Sequence, residues 1–166
     1  ILSSCDSFNV QQLYGFMFHN LKGLKRKVRL YDKLLSLKEE GIIKNIGISL
    51  YENDEIEYVL KNFYNFDFIQ IPFNILDNEN MRFKHILDAK KKDIKIHARS
   101  VYLQGLFFKE LDFIKKKFKD LEPSLSLIKN KLKNENILME EFALKYVLEK
   151  KYINKVLIGV DNYCQI

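Results

Sequence analysis

The sequence predicts an α/β chain built on a parallel sheet with crossover helices. Three observations carry this. Short apolar runs alternate with amphipathic stretches along almost the whole chain. The apolar runs are rich in aromatic and β-branched residues, as strands buried on both faces are. The order reads strand, helix, strand, helix, strand, helix, strand, helices, strand, the signature of βα units. Two architectures satisfy it, an open doubly wound sheet or part of a (β/α) barrel. The six glycines form no G-x-G-x-x-G and no G-x-x-x-x-G-K-[ST], so neither common phosphate-cradling fingerprint is present.

The first strand is expected at Leu13 to Phe18, ending at His19 and Asn20. A basic loop follows, and then a helix to about Glu40 with Leu30, Leu34, Leu35 and Leu37 along one side. Gly41 stops it, because glycine takes positive φ without steric cost. Ile43 to Ser49 is the second strand. Asn53 is the expected cap of the next helix, with Asp54 and Glu55 at its positive end. Ile56, Val59, Leu60 and Phe63 give that helix its apolar stripe. Phe68 to Ile71 is the third strand, closed by Pro72. Met81 to about Lys92 is a helix with Ile86 and Leu87 inward, and Lys95 to Ser100 the fourth strand. Phe107, Leu111, Ile114, Phe118 and Leu121 predict one helix broken at Pro123. Leu125, Ile128 and Leu132 predict another, and Met139, Phe142, Ala143, Tyr146 and Val147 the most regular. Val156 to Ile158 is the fifth strand, running into Gly159.

Composition narrows the class. Of 166 residues, 47% are apolar and two are proline, which excludes collagen-like and mostly disordered chains. No apolar run reaches the roughly 18 residues of a membrane helix, and no signal-type segment opens the chain. Cys5 and Cys164 are too few for a disulfide framework, so a reducing cytoplasm is the expected setting. The net charge is +6, with basic runs at Lys22–Arg29, Lys90–Lys92 and Lys115–Lys117. No nucleic-acid motif accompanies them, and solvated helix faces account for the lysines, so a nucleic-acid partner ranks last.

Polar residues fall at strand ends. His19 ends the first strand and Ser49 the second. Gln70 sits late in the third with Asn74 beyond it, and Arg99 and Ser100 end the fourth. In a barrel the carboxyl ends of the strands converge on the face that carries the active site, so these residues would ring one mouth. His85 and His97 show no partner spacing. No H-x-x-x-H, C-x-x-C or carboxylate cluster supports a metal site.

Five ordered strings carry a family resemblance. They are Gly15-Phe16-Met17-Phe18-His19-Asn20, the run from Glu40 to Ser49, the run from Phe68 to Asp77, the run from Ala98 to Leu106, and Val156 to Val160. In this order and spacing, from about Leu13 to Ile166, they resemble the aldo-keto reductase superfamily. The resemblance implies a (β/α)8 TIM-barrel fold, here an incomplete barrel of about five parallel strands with flanking helices, the fourth to eighth of the family. The chain then reads as one partial domain over residues 1–166, with N-terminal strands missing, in keeping with a start at Ile1.

The function the resemblance implies is reduction of a small carbonyl compound with NADP(H), with NAD(H) left open. His19 matches the histidine that orients the carbonyl, as the catalytic candidate. Ser49 and Gln70 match residues that hold the nicotinamide carboxamide, and Arg99, Ser100 and Gly159 the rest of the cofactor contact. The chain departs from the family at Leu50, where many members carry Asn, and at Arg99, where many carry a stacking aromatic. Beyond Gly159, Asp161, Asn162 and Gln165 stand where a basic group commonly meets the 2′-phosphate. The family's Asp, Tyr and Lys have no matching positions, so the enzyme reading belongs to a longer parent. The alternative is a non-catalytic truncated remnant acting as a binding or interaction module. Five strands cannot close at the family's geometry, which predicts open edges, a wet inner face, and low stability or oligomerisation through those edges. No metal, membrane or nucleic acid is expected.

Overall fold

The structure, a computed structural model, describes residues 1–160. Asp161, Asn162, Cys164 and Gln165, which the sequence reading uses, lie outside the described residues. The described chain runs α1 (Leu2–Phe8), β1 (Phe16–Phe18), α2 (Leu21–Arg26), α3 (Val28–Glu39), β2 (Ile46–Ser49), α4 (Asn53–Asn62), β3 (Phe68–Pro72), α5 (Glu79–Lys90) and β4 (Lys95–Arg99). A 3-10 turn over Leu103–Phe108 leads to α6 (Leu111–Lys117), α7 (Glu122–Asn134), α8 (Met139–Leu148) and β5 (Lys155–Val156). The strands form one sheet of five in the order β1-β2-β3-β4-β5, every neighbour in space a neighbour in sequence. This is the parallel, incomplete-barrel α/β pattern that the strand series implies.

The chain divides into two compact units. The first holds Ile1–Ile71 and Glu79–His97, the second Pro72–Asn78 and the chain from Ala98 onward.

In the first unit, β1 pairs parallel with β2, and β2 with β3. The register aligns Met17 with Gly47 and Gly47 with Phe68, then Phe18 with Ile48 and Ile48 with Ile69, then Ser49 with Gln70. Side chains alternate along a strand, so Met17, Gly47 and Phe68 share one face with Ser49 and Gln70. Phe68 lies flat over Gly47 and stacks on His97, ring centroids 4.4 Å apart. Phe68 is thereby buried, and this face is not simply wet there. The opposite face carries Phe18, Ile48, Ile69 and Ile71, all buried. Phe18 meets Phe66 edge-on, and Phe66 packs with Tyr31 of α3 and with Phe63 beside α4. Asp67 ties the layers, accepting Ile46 N at 2.7 Å and Lys38 Nζ at 2.5 and 2.6 Å on its two oxygens.

Several expected details are corrected. β1 is shorter than expected, and Leu13 makes only an isolated bridge to Ile43. On α3 the buried residues are Tyr31 and Leu34, while Leu30 is exposed, because Tyr31 fills the aromatic cluster. Gly41 does stop the helical turn, at φ 77°. The cap of α4 is Glu52 rather than Asn53: Glu55 Oε2 accepts from the N–H groups of Tyr51 and Glu52. Asn53 instead bridges to α5 by donating to Met81 O. Ile86 is buried in α5, but Leu87 is exposed.

In the second unit, Phe73 N donates to Arg99 O and Leu157 N to Ala98 O. Leu106, Phe107, Ile114, Leu125 and Ala143 form the core, with Phe73 stacked on Tyr146 and edge-on to Tyr152. The expected helix over Phe107–Leu121 is broken into a 3-10 turn, α6, and a second short turn at Lys119–Leu121. Extended backbone at Lys109 and Glu110 makes the first break. Pro123 does not break a helix. It sits in the first turn of α7, where a missing N–H costs nothing. β5 is two residues long, and Leu157 and Ile158 are exposed beyond it.

Candidate functional site

A polar side chain stands at or near the carboxyl end of β1, β2 and β3, and the register brings those of β2 and β3 level. Ser49 is the last residue of β2 and the register partner of Gln70. His19 follows Phe18, whose partner Ile48 precedes Ser49, so strand alternation puts His19 on the face of Ser49 and Gln70. Ser49 and Gln70 are 4% and 7% exposed, and their side chains hydrogen-bond to no group among the described residues. Their polar atoms are not among the fully enclosed ones, so they reach the surface and present donors and acceptors to whatever binds there. His19 is exposed at the edge of the same row.

The turn after Ser49 is held from below. Arg82, buried on α5, donates to Tyr51 O at 2.9 Å and to Asn53 Oδ1 at 3.3 Å. Leu50 N donates to Gln70 O, continuing the ladder past Ser49. Leu50 itself is fully buried, so its side chain is a core contact here. Sequence reasoning missed Arg82, which looks like one more surface cation in a lysine-rich helix.

The second unit holds a cavity of about 1070 Å³. Ser100 and Gly159 both line it, so two of the expected cofactor residues come together. Arg99 Nη1 donates to Ser100 Oγ at 3.1 Å. Lys129 and Glu140 bring opposite charges to the same wall. Lys129 Nζ donates to Lys109 O at 2.7 Å. The phenol of Tyr102, also on the wall, is pushed up from its ordinary pKa by burial and then by the charge of Glu140. No sequence signal marks Lys129 or Glu140, which sit on helices whose apolar stripe is the legible part.

The wall between Ser100 and Gly105 is backbone under strain. Ser100, Leu103 and Gln104 have φ of 57°, 47° and 53°, and Gly105 has 79°. Non-glycine residues rarely adopt this region, and such outliers gather at binding sites. Two N–H groups of the segment are used within it, Leu103 N donating to Ser100 O and Gly105 N to Tyr102 O, both at 2.9 Å. Asn74 braces the segment. Fully buried, it donates to Ser100 O and accepts from the N–H groups of Leu76 and Asp77.

The remaining titratable groups stand apart. His85 Nε2 is 2.9 Å from Glu57 Oε1, which pairs α5 with α4. That contact, with Lys84 next, holds the Glu57 carboxyl below its ordinary range. His97 is buried against Phe68. Among the described residues no three His, Cys, Asp or Glu side chains gather as a metal site. No described helix is long and apolar enough to cross a membrane.

The model of the Aldo/keto reductase family matches residues 1–166. The chain belongs to this family. Aldo-keto reductase AKR11C1 from Bacillus halodurans, in its holo form, superimposes with a TM-score of 0.76 at 19% identity over 99% of this chain and 54% of its own. Its apo form gives 0.75, covering 57% of that chain. The glycerol dehydrogenase AKR11B4 from Gluconobacter oxydans gives 0.73 at 14% identity, again over 99% of this chain and 54% of its own. No individually curated protein matches the sequence. The chain thus spans a little over half the length of these aldo-keto reductases, and at such identity the likeness carries the fold.

Proposed function

We propose that this chain carries the carbonyl-orienting and nicotinamide-facing part of an NAD(P)H-dependent reductase of small carbonyl compounds. The observation that carries the reading is the pair Ser49 and Gln70: register partners, buried, and hydrogen-bonded to nothing among the described residues. A hydroxyl beside a carboxamide, level with an exposed histidine, offers both donors and acceptors to a planar amide. The chemistry supplied by the bound dinucleotide is a hydride. His19 donates a hydrogen bond to the substrate carbonyl and fixes its direction. Ser49 and Gln70 fix which nicotinamide face is presented. In the second unit, the Ser100 hydroxyl on the cavity wall suits a phosphate, with Arg99 holding Ser100 and Gly159 leaving the wall open. NADP(H) is the cofactor we favour, and a cytoplasmic setting suits buried, unpaired Cys5. We read residues 1–166 as one partial barrel domain, whose outer strands β1 and β5 offer edges for pairing.

One observation favours the second reading, a binding module without turnover. The family's proton donor is a tyrosine whose pKa is lowered. Here the phenols of Tyr31 and Tyr102 are both pushed up, first by burial.

Titration calorimetry with NADPH and NADH, beside a carbonyl panel, separates the readings. Ser49→Ala or Gln70→Ala should each weaken dinucleotide binding about 3- to 10-fold, the worth of one hydrogen bond. His19→Ala should abolish turnover with binding unchanged. Binding without reduction of any carbonyl supports the module reading. Absence of dinucleotide binding overturns both.

A further inference from the structure

We infer that the carbonyl substrate is an anion, a compound whose carbonyl lies a few bonds from a phosphate or carboxylate. The inference rests on the reductase reading for His19 and deepens it. Five cations, Lys22, Lys25, Arg26, Lys27 and Arg29, stand in eight residues with no acidic residue among them, beginning three residues after His19.

The chain turns directly from β1 into α2. Asn20 caps the helix by accepting from Gly23 N at 2.7 Å. Lys22 therefore lies within about 11 Å of His19, Cα to Cα, the span of three peptide units. Arg26 follows about 6 Å along the helix axis. Leu21 and Leu24 are buried and pin α2, so the cations stay at the carboxyl end of β1, all of them exposed. In parallel α/β folds that end of the strands is where ligands bind.

The charge is uncompensated. Four lysines elsewhere are paired, Lys33 with Glu40, Lys38 with Asp67, Lys84 with Glu57 and Asp88, and Lys91 with Asp88, while the run Lys115–Lys117 is as unpaired as this one. None of the five meets a carboxylate among the described residues. Lys25 lies 3.8 Å over the Tyr58 ring, which anchors it to α4 without neutralising it. The acids of α4 are engaged elsewhere: Asp54 with Glu55 N, Glu55 with Tyr51 N and Glu52 N, and Glu57 with His85 and Lys84. A carbonyl compound approaching His19 thus has five exposed cations without carboxylate partners nearby in the chain, which attract an anion against the carboxylates that open α4.

One unit charge about 8 Å from a phosphate dianion changes its affinity about sixfold in unscreened water and about twofold at physiological salt. The test uses two matched pairs of probes, dihydroxyacetone phosphate against dihydroxyacetone, and succinic semialdehyde against butyraldehyde. Binding to the whole chain is read by NMR titration at low and physiological salt. Each anion should bind at least tenfold tighter than its neutral partner at low salt, and the gap should shrink as salt rises. Lys22→Gln/Arg26→Gln/Arg29→Gln should cut anion affinity about two- to threefold at physiological salt, Lys22 carrying most of it, and leave neutral probes unchanged. Preference in the first pair alone assigns a phosphate, in the second alone a carboxylate. Equal binding within both pairs, no binding of any probe, or no effect of the triple variant overturns the inference. So does duplex DNA displacing the anions at stoichiometric concentration, which makes the patch a polyanion surface. NADPH titration is read separately. Its failure with the anion preference intact sinks the reductase reading and leaves the anion site standing.

Discussion

Gly47→Ala is expected to be among the most damaging single-methyl additions in this chain. An alanine Cβ at Gly47 would stand 2.2 Å from Cε2 and Cζ of Phe68 and 2.6 Å from Cδ2. Carbon atoms pack best at about 3.5–4.0 Å, so the ring must retreat by more than an ångström. It has little room. His97 stacks on it at 4.4 Å with the planes 18° apart, and a Cβ at Gly15 would lie 3.3 Å from the same ring. Overpacking costs about 1–3 kcal/mol, and loss of a ring stack about 0.5–1.5 kcal/mol more. The expected destabilisation is about 3 kcal/mol, or about 6–12 °C in Tm for a chain of this size. Urea unfolding followed by circular dichroism measures it. Gly159→Ala is the control, because nothing lies within 4 Å of its added methyl, and it should change stability by less than about 0.5 kcal/mol. Phe68→Ala removes the obstacle, so in its presence Gly47→Ala should cost about 1–3 kcal/mol less than alone. A Gly47→Ala variant as stable as the parent would refute the account of this face.

Three further outcomes follow from other contacts. Asp67→Ala strips partners from Ile46 N and Lys38 Nζ at once, and should cost about 2–3 kcal/mol in the same urea assay. Asn74→Ala removes three hydrogen bonds at a fully buried position and should cost about 2–4 kcal/mol; released from its brace, the Ser100 loop should also show faster amide exchange. Glu57 has a folded pKa lowered below 4.5, first by its hydrogen bond to His85 and then by Lys84. Its contribution to stability is therefore present above pH 4.5 and is lost as pH falls through the folded value. Glu57→Gln should lower Tm above that acid window, leave it unchanged below, and so flatten Tm against pH within it.

The strand series was legible because each strand is a short apolar run bounded by breakers, and a parallel sheet with neighbours in sequence order needs little else. Gly41 and the Ile56–Leu60 stripe read correctly for the same reason: each is a local signal. The misreadings are tertiary. Leu30 has the spacing of a core residue, but Tyr31 takes the inward position because Phe63 and Phe66 give its ring partners. Asn53 is a good cap by composition, but its amide is needed by α5. Spacing carried one helix through Phe107–Leu121, yet the backbone at Lys109 and Glu110 is extended. At the site, the polar strand ends were legible as residue types in position. Their lack of internal partners was not, since hydrogen bonds between distant segments leave no mark in sequence. Nor were Arg82, Lys129 and Glu140, which look like any other charges on helices.

Ser49 and Gln70 set stability against binding. A folded chain gains nothing internal from a buried hydroxyl and carboxamide that hydrogen-bond to no neighbour, and it gives up part of their hydration. Apolar groups of similar shape, Ser49→Ala with Gln70→Leu, should therefore raise unfolding free energy by about 1 kcal/mol. The same change should remove two hydrogen bonds to a nicotinamide carboxamide and weaken NADPH about 10- to 100-fold. Opposite signs in the two measurements are what a binding site predicts, since affinity is held there at the expense of the fold. If the double variant unfolds more easily instead, the two side chains are satisfied within the protein, and the observation on which the proposed function rests falls with them.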